Sequence, residues 1–132
     1  MRAAAVLLAG LATLPLAGCD DTGGQAGPPM VVAGGNPERG REAIRQLGCG
    51  SCHVIPGISG ANSTVGPPLR AVARQAYIGG VVPNLPENLV RWIRDPQAVQ
   101  PQTAMPDVGA TEREARDIAA YLYTLRGGRG LL

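Results

Sequence analysis

The sequence predicts an all-α domain with long loops, and three observations predict it. Apolar residues recur at helical spacing in three segments, 36–47, 86–94 and 111–126, each opened by a capping residue or a proline. No two alternating apolar runs flank a turn, so no strand pair is expected, and there is no internal repeat. Between the helical segments lie stretches crowded with breakers, "IPGISGANSTVGPPL" at 55–69 and "QAVQPQTAMPDVG" at 97–109. Loops of that length in a compact domain need a reason, such as wrapping a ligand.

Each element follows from local chemistry. Asn36 caps the first helix, Pro37 suits its first position and Glu38 sits at its positive end. Gly40, Ile44 and Leu47 then fall on one face, and Gly48 stops the helix. Cys49 to His53 form a tight turn. "RAVARQAY", Arg70 to Tyr77, predicts a short helix, and "GGVVPN", Gly79 to Asn84, a turn. "PENLVRWIRDP" predicts a helix that begins at Pro86, sets Leu89, Trp92 and Ile93 on one face and stops before Pro96. Pro101 and Pro106 predict an extended loop over 97–109. Thr111 and Glu114 make a capping box, after which Ala115, Ile118, Ala119, Leu122 and Leu125 run at helical spacing to Gly127.

The composition asks what fills the core. The 132 residues make one small domain, with no Phe, one Trp, three Tyr, 19 Gly and 12 Pro. A small domain is marginal on burial alone. A bound apolar cofactor would supply the missing volume; a loop-rich Ala/Leu/Val core is the plainer alternative. Net charge is +2, every basic residue is Arg, and the signs alternate, as in "PERGRE" and "TEREARD". No basic run suits nucleic acid.

The N-terminus is expected not to belong to the fold. "MRAAAVLLAGLATLPLAGCD" places one Arg before an apolar run from Ala3 to Leu16 and small residues before Cys19. The run is short for a bilayer span and has the length of a signal-peptide core. "LAGC", Leu16 to Cys19, resembles the bacterial lipobox, which implies a lipoprotein signal peptide over 1–18 and diacylglycerol on the thiol of Cys19. Buried acyl chains contribute about 0.8 kcal/mol per methylene, so two or three hold a small domain on a membrane. Asp20 and Asp21 fit the pattern read in some Gram-negative bacteria as retention at the inner membrane. The expected location is therefore the periplasmic side of that membrane. Residues 19–35, rich in Gly and Pro, read as a flexible tether with a reach of roughly 20 Å, and 36–132 as the domain.

Two cysteines and the only histidine of the chain meet in "CGSCH", Cys49 to His53. A redox dithiol of this spacing needs a βαβ setting, which the pattern lacks. A zinc site needs four ligands, and only three are here. Covalent attachment of haem uses two thiols at this spacing and the adjacent His as an iron ligand. A disulfide or a chance cluster is the bland alternative. With Cys19 lipidated and Cys49 and Cys52 on haem, no thiol is left over. For the opposite face of the iron the candidates are Met30, which lies in the tether, and Met105, in a Pro-stiffened loop.

Residues 36–126 resemble a small class I bacterial cytochrome c. The matching motifs are "CGSCH", "GPPL" at 66–69, "LVRWIRDP" at 89–96, "TAMP" at 103–106 and a terminal helix "DIAAYLYTL". The resemblance implies a small cytochrome c fold, its helices wrapped around one covalent haem c. It implies Met105 as sixth ligand, and the carbonyl of Pro67 as partner of the second ring nitrogen of His53. It also implies that Gly40 and Ile44 cross the last helix near Tyr121. Trp92 would pack by the haem or reach a propionate, with Thr103 and Arg74 as weaker propionate partners. The lysines that steer many soluble members are absent; Arg70, Arg74, Arg91 and Arg94 could replace them.

His/Met ligation leaves no open iron site, so the implied chemistry is one-electron transfer between Fe(III) and Fe(II), not enzymatic turnover or action on a small-molecule substrate. The expected function is a membrane-tethered electron carrier of a respiratory chain, with redox proteins as partners: a respiratory complex, a dehydrogenase or a terminal oxidase. The alternatives are a dedicated subunit feeding one oxidase or dehydrogenase complex, and a haem sensor or peroxidase in which Met105 is displaced. A haem-free structural lipoprotein would leave "CGSCH" unexplained.

Overall fold

The computed structural model describes residues 30–127. Four α-helices, α1 (Pro37–Gln46), α2 (Pro86–Arg94), α3 (Pro96–Val99) and α4 (Glu112–Leu122), pack with a two-stranded hairpin, β1 (Tyr77–Ile78) and β2 (Val82–Pro83). The expected class holds: the described chain is mostly helical, with long loops.

The capping chemistry works as written in the sequence. The side chain of Asn36 accepts from the N–H of Arg39, with Pro37 in the first turn, and Gly48 takes the left-handed conformation just past the helix end. At α4 the Thr111 hydroxyl accepts from the Glu114 N–H, while the Glu114 carboxylate accepts from the Thr111 N–H at 2.9 Å.

α1 and α4 make the tightest joint. A Cβ on Gly40 would lie 1.9 Å from the carbonyl oxygen of Asp117, so glycine alone permits this approach. The crossing falls at Asp117 and Ile118, one turn before the expected Tyr121. Asp117 is 3% exposed. Its carboxylate accepts from the Asn36 N–H at 2.7 Å and from the Arg39 guanidinium at two 2.8 Å contacts. Burial alone would raise the Asp117 pKa, but the Arg39 and Asn36 hydrogen bonds outweigh it and the net direction is down. α2 lies against α4, with Arg116 joined to Glu87 and Arg94 to Glu112 on the surface. Ile44, Ile55, Val90 and Ile118 are the largest fully buried aliphatic side chains of the core, with Ala115 and Ala119 sealed between helices.

Four expectations need correction. A strand pair exists: Tyr77 pairs with Pro83 and Ile78 with Val82. Each strand is two residues long, too short for alternation to register, and the turn rests on Gly79 and Gly80, both at positive φ. The helix expected over Arg70–Tyr77 shrinks to one 3₁₀ turn at Val72–Arg74, because the chain then enters β1. The stretch 97–109 is not wholly extended, since Asp95 caps α3 by accepting from the Ala98 N–H. α4 ends at Leu122 rather than near Gly127, because Leu125 and Gly127 leave the helix to pair with Ala73 and Arg70.

The packed structure also begins before Asn36. Val32 is buried, Met30 packs partly against the core, and the Ala33 carbonyl accepts from Arg116. The C-terminal end of the segment assigned to the tether is therefore seated on the domain. Residues 1–29, with Cys19, lie outside the described residues.

Candidate functional site

The turn after α1 presents the cysteines. A 3₁₀ helix spans Cys49–Ser51, held by Ser51 N–H to the Gly48 carbonyl and His53 N–H to the Cys49 carbonyl. Gly50 lets this turn lie on Ala61, whose Cβ would be 2.8 Å from a Cβ there. Cys49 and Cys52 are both free thiols and partly buried. Burial pushes the Cys49 thiol above its ordinary pKa.

His53 is oriented from one side. Its Nδ1 lies 2.7 Å from the Pro67 carbonyl oxygen, as the resemblance implied. A carbonyl can only accept, so Nδ1 carries a proton, and in the neutral ring the lone pair then sits on Nε2, where a metal could use it. The loop that supplies Pro67 is pinned at both ends: Gly66 N–H donates to the Cys52 carbonyl at 2.7 Å and Leu69 N–H to that of Val54 at 2.9 Å. A Cβ on Gly66 would come 2.6 Å from Cε1 of His53, so the glycine makes room for the ring. An open cleft of about 440 Å³ runs along this loop, lined by residues that include Val54, Val65, Pro67 and Arg70.

Met105 is partly buried in the loop between α3 and α4. Its backbone is fixed twice: its N–H donates to the Thr103 hydroxyl at 3.2 Å, and its carbonyl accepts from Gln97 Nε2 at 2.7 Å. Gln97 was not singled out from sequence, although Asp95-Pro96 repeats the Asn36-Pro37 start of α1 and marks the short helix that carries it. Trp92, partly buried, lies against the hairpin tip, where a Cβ on Gly79 would be 2.5 Å from its ring. Arg74 is exposed. Tyr121 donates to the Pro56 carbonyl at 2.7 Å, clamping the loop after the cysteine turn onto α4.

Sequence reasoning also missed Asn84, 7% exposed. Its amide donates to the carbonyls of Val72 and Gln75 and accepts from the Tyr123 hydroxyl. Burial pushes the Tyr123 pKa up to about 12. The only sequence signal is a polar residue two positions before a proline-started helix, which reads as an ordinary turn.

Two free thiols on one turn, an imidazole with Nε2 left free, and a space kept open by Gly66 form a donor set that fits haem c. The comparison with known families agrees. The cytochrome c family profile matches residues 37–126, and the chain belongs to that family. It is a monohaem electron-transfer cytochrome, with haem c attached through Cys49 and Cys52.

Among its relatives is cytochrome c oxidase subunit 2 of Alkalihalophilus pseudofirmus, 32% identical over 91 residues, or 67% of this chain and 25% of that protein. The chain thus spans about a quarter of the length of that relative. Cytochrome c2 from Rhodobacter sphaeroides shares the fold at a TM-score of 0.54 and 24% identity, over 71% of this chain and 98% of that one.

Proposed function

We propose that this cytochrome is a membrane-tethered carrier of single electrons in a respiratory chain, with His53 and Met105 as the residues that would ligate the haem iron. The observation that carries this reading is the His53 Nδ1 contact with Pro67, which commits the ring to presenting Nε2. Haem, when bound, supplies a one-electron Fe(III)/Fe(II) couple. Cys49 and Cys52 hold it covalently. His53 Nε2 and the thioether of Met105, whose loop is braced by Gln97 and Thr103, would be the residues that ligate its iron. A neutral thioether raises the reduction potential relative to a second imidazole, and with both positions filled the protein acts as a carrier rather than an enzyme. Trp92 would pack beside the group or reach one of its propionates.

The "LAGC" ending of the N-terminal apolar run supports lipidation at Cys19 and a location on the periplasmic face of the inner membrane. A tether suits short-range delivery, because it raises the effective concentration of carrier at fixed neighbours. Redox proteins are the partners. The likeness to an oxidase subunit 2 favours a terminal oxidase among them, and supports a second reading in which this chain serves one oxidase as its dedicated electron-feeding subunit. Co-purification with an oxidase in fixed ratio distinguishes that reading from a shuttle.

The test is an absorption spectrum of the periplasmically expressed protein, oxidised and dithionite-reduced, beside Met105→Ala. The expected result is a c-type reduced α band, with a weak near-infrared sulfur-to-iron band that vanishes in the variant. A c-type spectrum lacking that band, with ready carbon monoxide binding, overturns the Met105 assignment and favours a sensor or peroxidase.

A further inference from the structure

The loop that holds His53 does not end at Pro67. It continues as a strap through Gln75, and the strap runs alongside residues 125–127, just past α4. Gly127 N–H donates to the Arg70 carbonyl at 2.9 Å, and Ala73 N–H donates to the Leu125 carbonyl at 3.2 Å. Both Leu125 and Gly127 lie beyond the last residue of α4, where turn bonds such as Leu125 N–H to the Leu122 carbonyl add to these contacts with the strap. Strap and post-helix segment therefore support each other. Something must fix the pair.

We propose that Asn84 is a positioning residue for His53: its side-chain amide locks the 66–75 strap, which carries Pro67, to the end of α4. The two Nδ2 hydrogens reach Val72 O at 2.7 Å and Gln75 O at 2.9 Å, gripping the strap. The Oδ1 atom accepts from Tyr123 at 2.9 Å, gripping the residue that caps α4. The Asn84 N–H donates to the Ala76 carbonyl, which aligns the amide with the same strap. Three side-chain hydrogen bonds at a buried position leave little freedom, and leaving such groups unpaired is costly. Loosening the lock frees the strap, and with it the carbonyl that polarises the imidazole. A weaker Nδ1–H contact makes His53 a poorer donor to oxidised iron, which shifts the couple toward the reduced form.

This inference rests on His53 being an iron ligand, so the parent protein is first shown to give the His/Met spectrum described above; failure there overturns the ligand assignment, not the lock. The test compares Asn84→Ala and Tyr123→Phe holoprotein with the parent. It reads solvent exchange of the His53 Nδ1 proton by NMR and the reduced-to-oxidised ratio at fixed ambient potential. Asp117→Asn, which loosens the α1–α4 joint instead, is the control for lost stability. The expected result is faster exchange and a several-fold higher reduced fraction in Asn84→Ala, a smaller change of the same sign in Tyr123→Phe, and neither in Asp117→Asn. Unchanged exchange and ratio in Asn84→Ala, or equal changes in Asp117→Asn, overturn it. Covalent attachment keeps haem on the variants, so the optical readout survives partial loosening.

Discussion

At the residue scale the site depends on atoms that are missing as much as on those present. Gly66 is the clearest case. Its would-be Cβ lies 2.6 Å from Cε1 and 2.8 Å from Nδ1 of His53, closer than packed atoms tolerate. Gly66→Ala therefore turns the ring away from Pro67. The expected outcome is a lower yield of covalently loaded protein and a weakened near-infrared band in what remains, both measured on purified holoprotein. The residues that bear the chemistry, Cys49, Cys52 and His53, were legible because attachment chemistry dictates their spacing. Met105 was one of two methionine candidates on its Pro-stiffened loop, and Pro67 became legible only through the resemblance, since no spacing rule ties it to His53. Asn84 was not legible at all: its partners are backbone carbonyls of a strap and a Tyr 39 positions away, and a sequence does not display such pairings.

At the element scale, the α1–α4 joint sets the frame on which the cysteine turn hangs. Gly40→Ala would drive a methyl group into the Asp117 backbone, so the helices must separate. Overpacking of this kind costs about 3 kcal/mol or more, read as a fall in melting temperature of roughly 10 °C or greater by calorimetry. The ion pair at the same joint has a definite pH signature. The Asp117 pKa is depressed in the folded protein from its ordinary 3.8. Its contribution is thus fully present above that value and lost as pH falls through the lower, folded one. Acid unfolding should begin in that window, and Asp117→Asn should flatten the pH dependence of the melting temperature there. Caps, proline starts and glycine stops were readable at this scale because each is decided within four residues. The hairpin, the short α3 and the early end of α4 were not. The first is too brief to show a period, and the last is decided by pairing with residues 70–73 far away in the sequence.

At the scale of the whole molecule, composition and fold agree on one point. A chain without Phe and with one Trp builds its core mostly from Ile, Val, Leu and Ala, and the haem held by Cys49 and Cys52 would supply the large apolar body that few side chains do. A Cys49→Ala, Cys52→Ala double variant, which cannot hold haem covalently, should melt well below the holoprotein and be cut faster by protease. Anchoring is tested at the same scale. Cys19→Ala should move the cytochrome from the membrane fraction to the soluble periplasm with its spectrum unchanged; retention on the membrane would refute a lipid anchor at that thiol.

The joint between Asn36 and Asp117 joins positions 81 residues apart. A chain delivered from its N-terminus makes the cysteine turn early, but α1 lacks its main helical partner until α4 follows much later in the sequence. For most of that interval Cys49 and Cys52 lie on an unclosed chain and remain open to whatever attaches haem. Closure by the last helix then fixes the frame from which their turn hangs, with both thiols only partly buried. Pairing α1 with a helix so distant in the sequence thus acts as a timer: it gives the thiols a period on an unclosed chain before the fold sets around their turn.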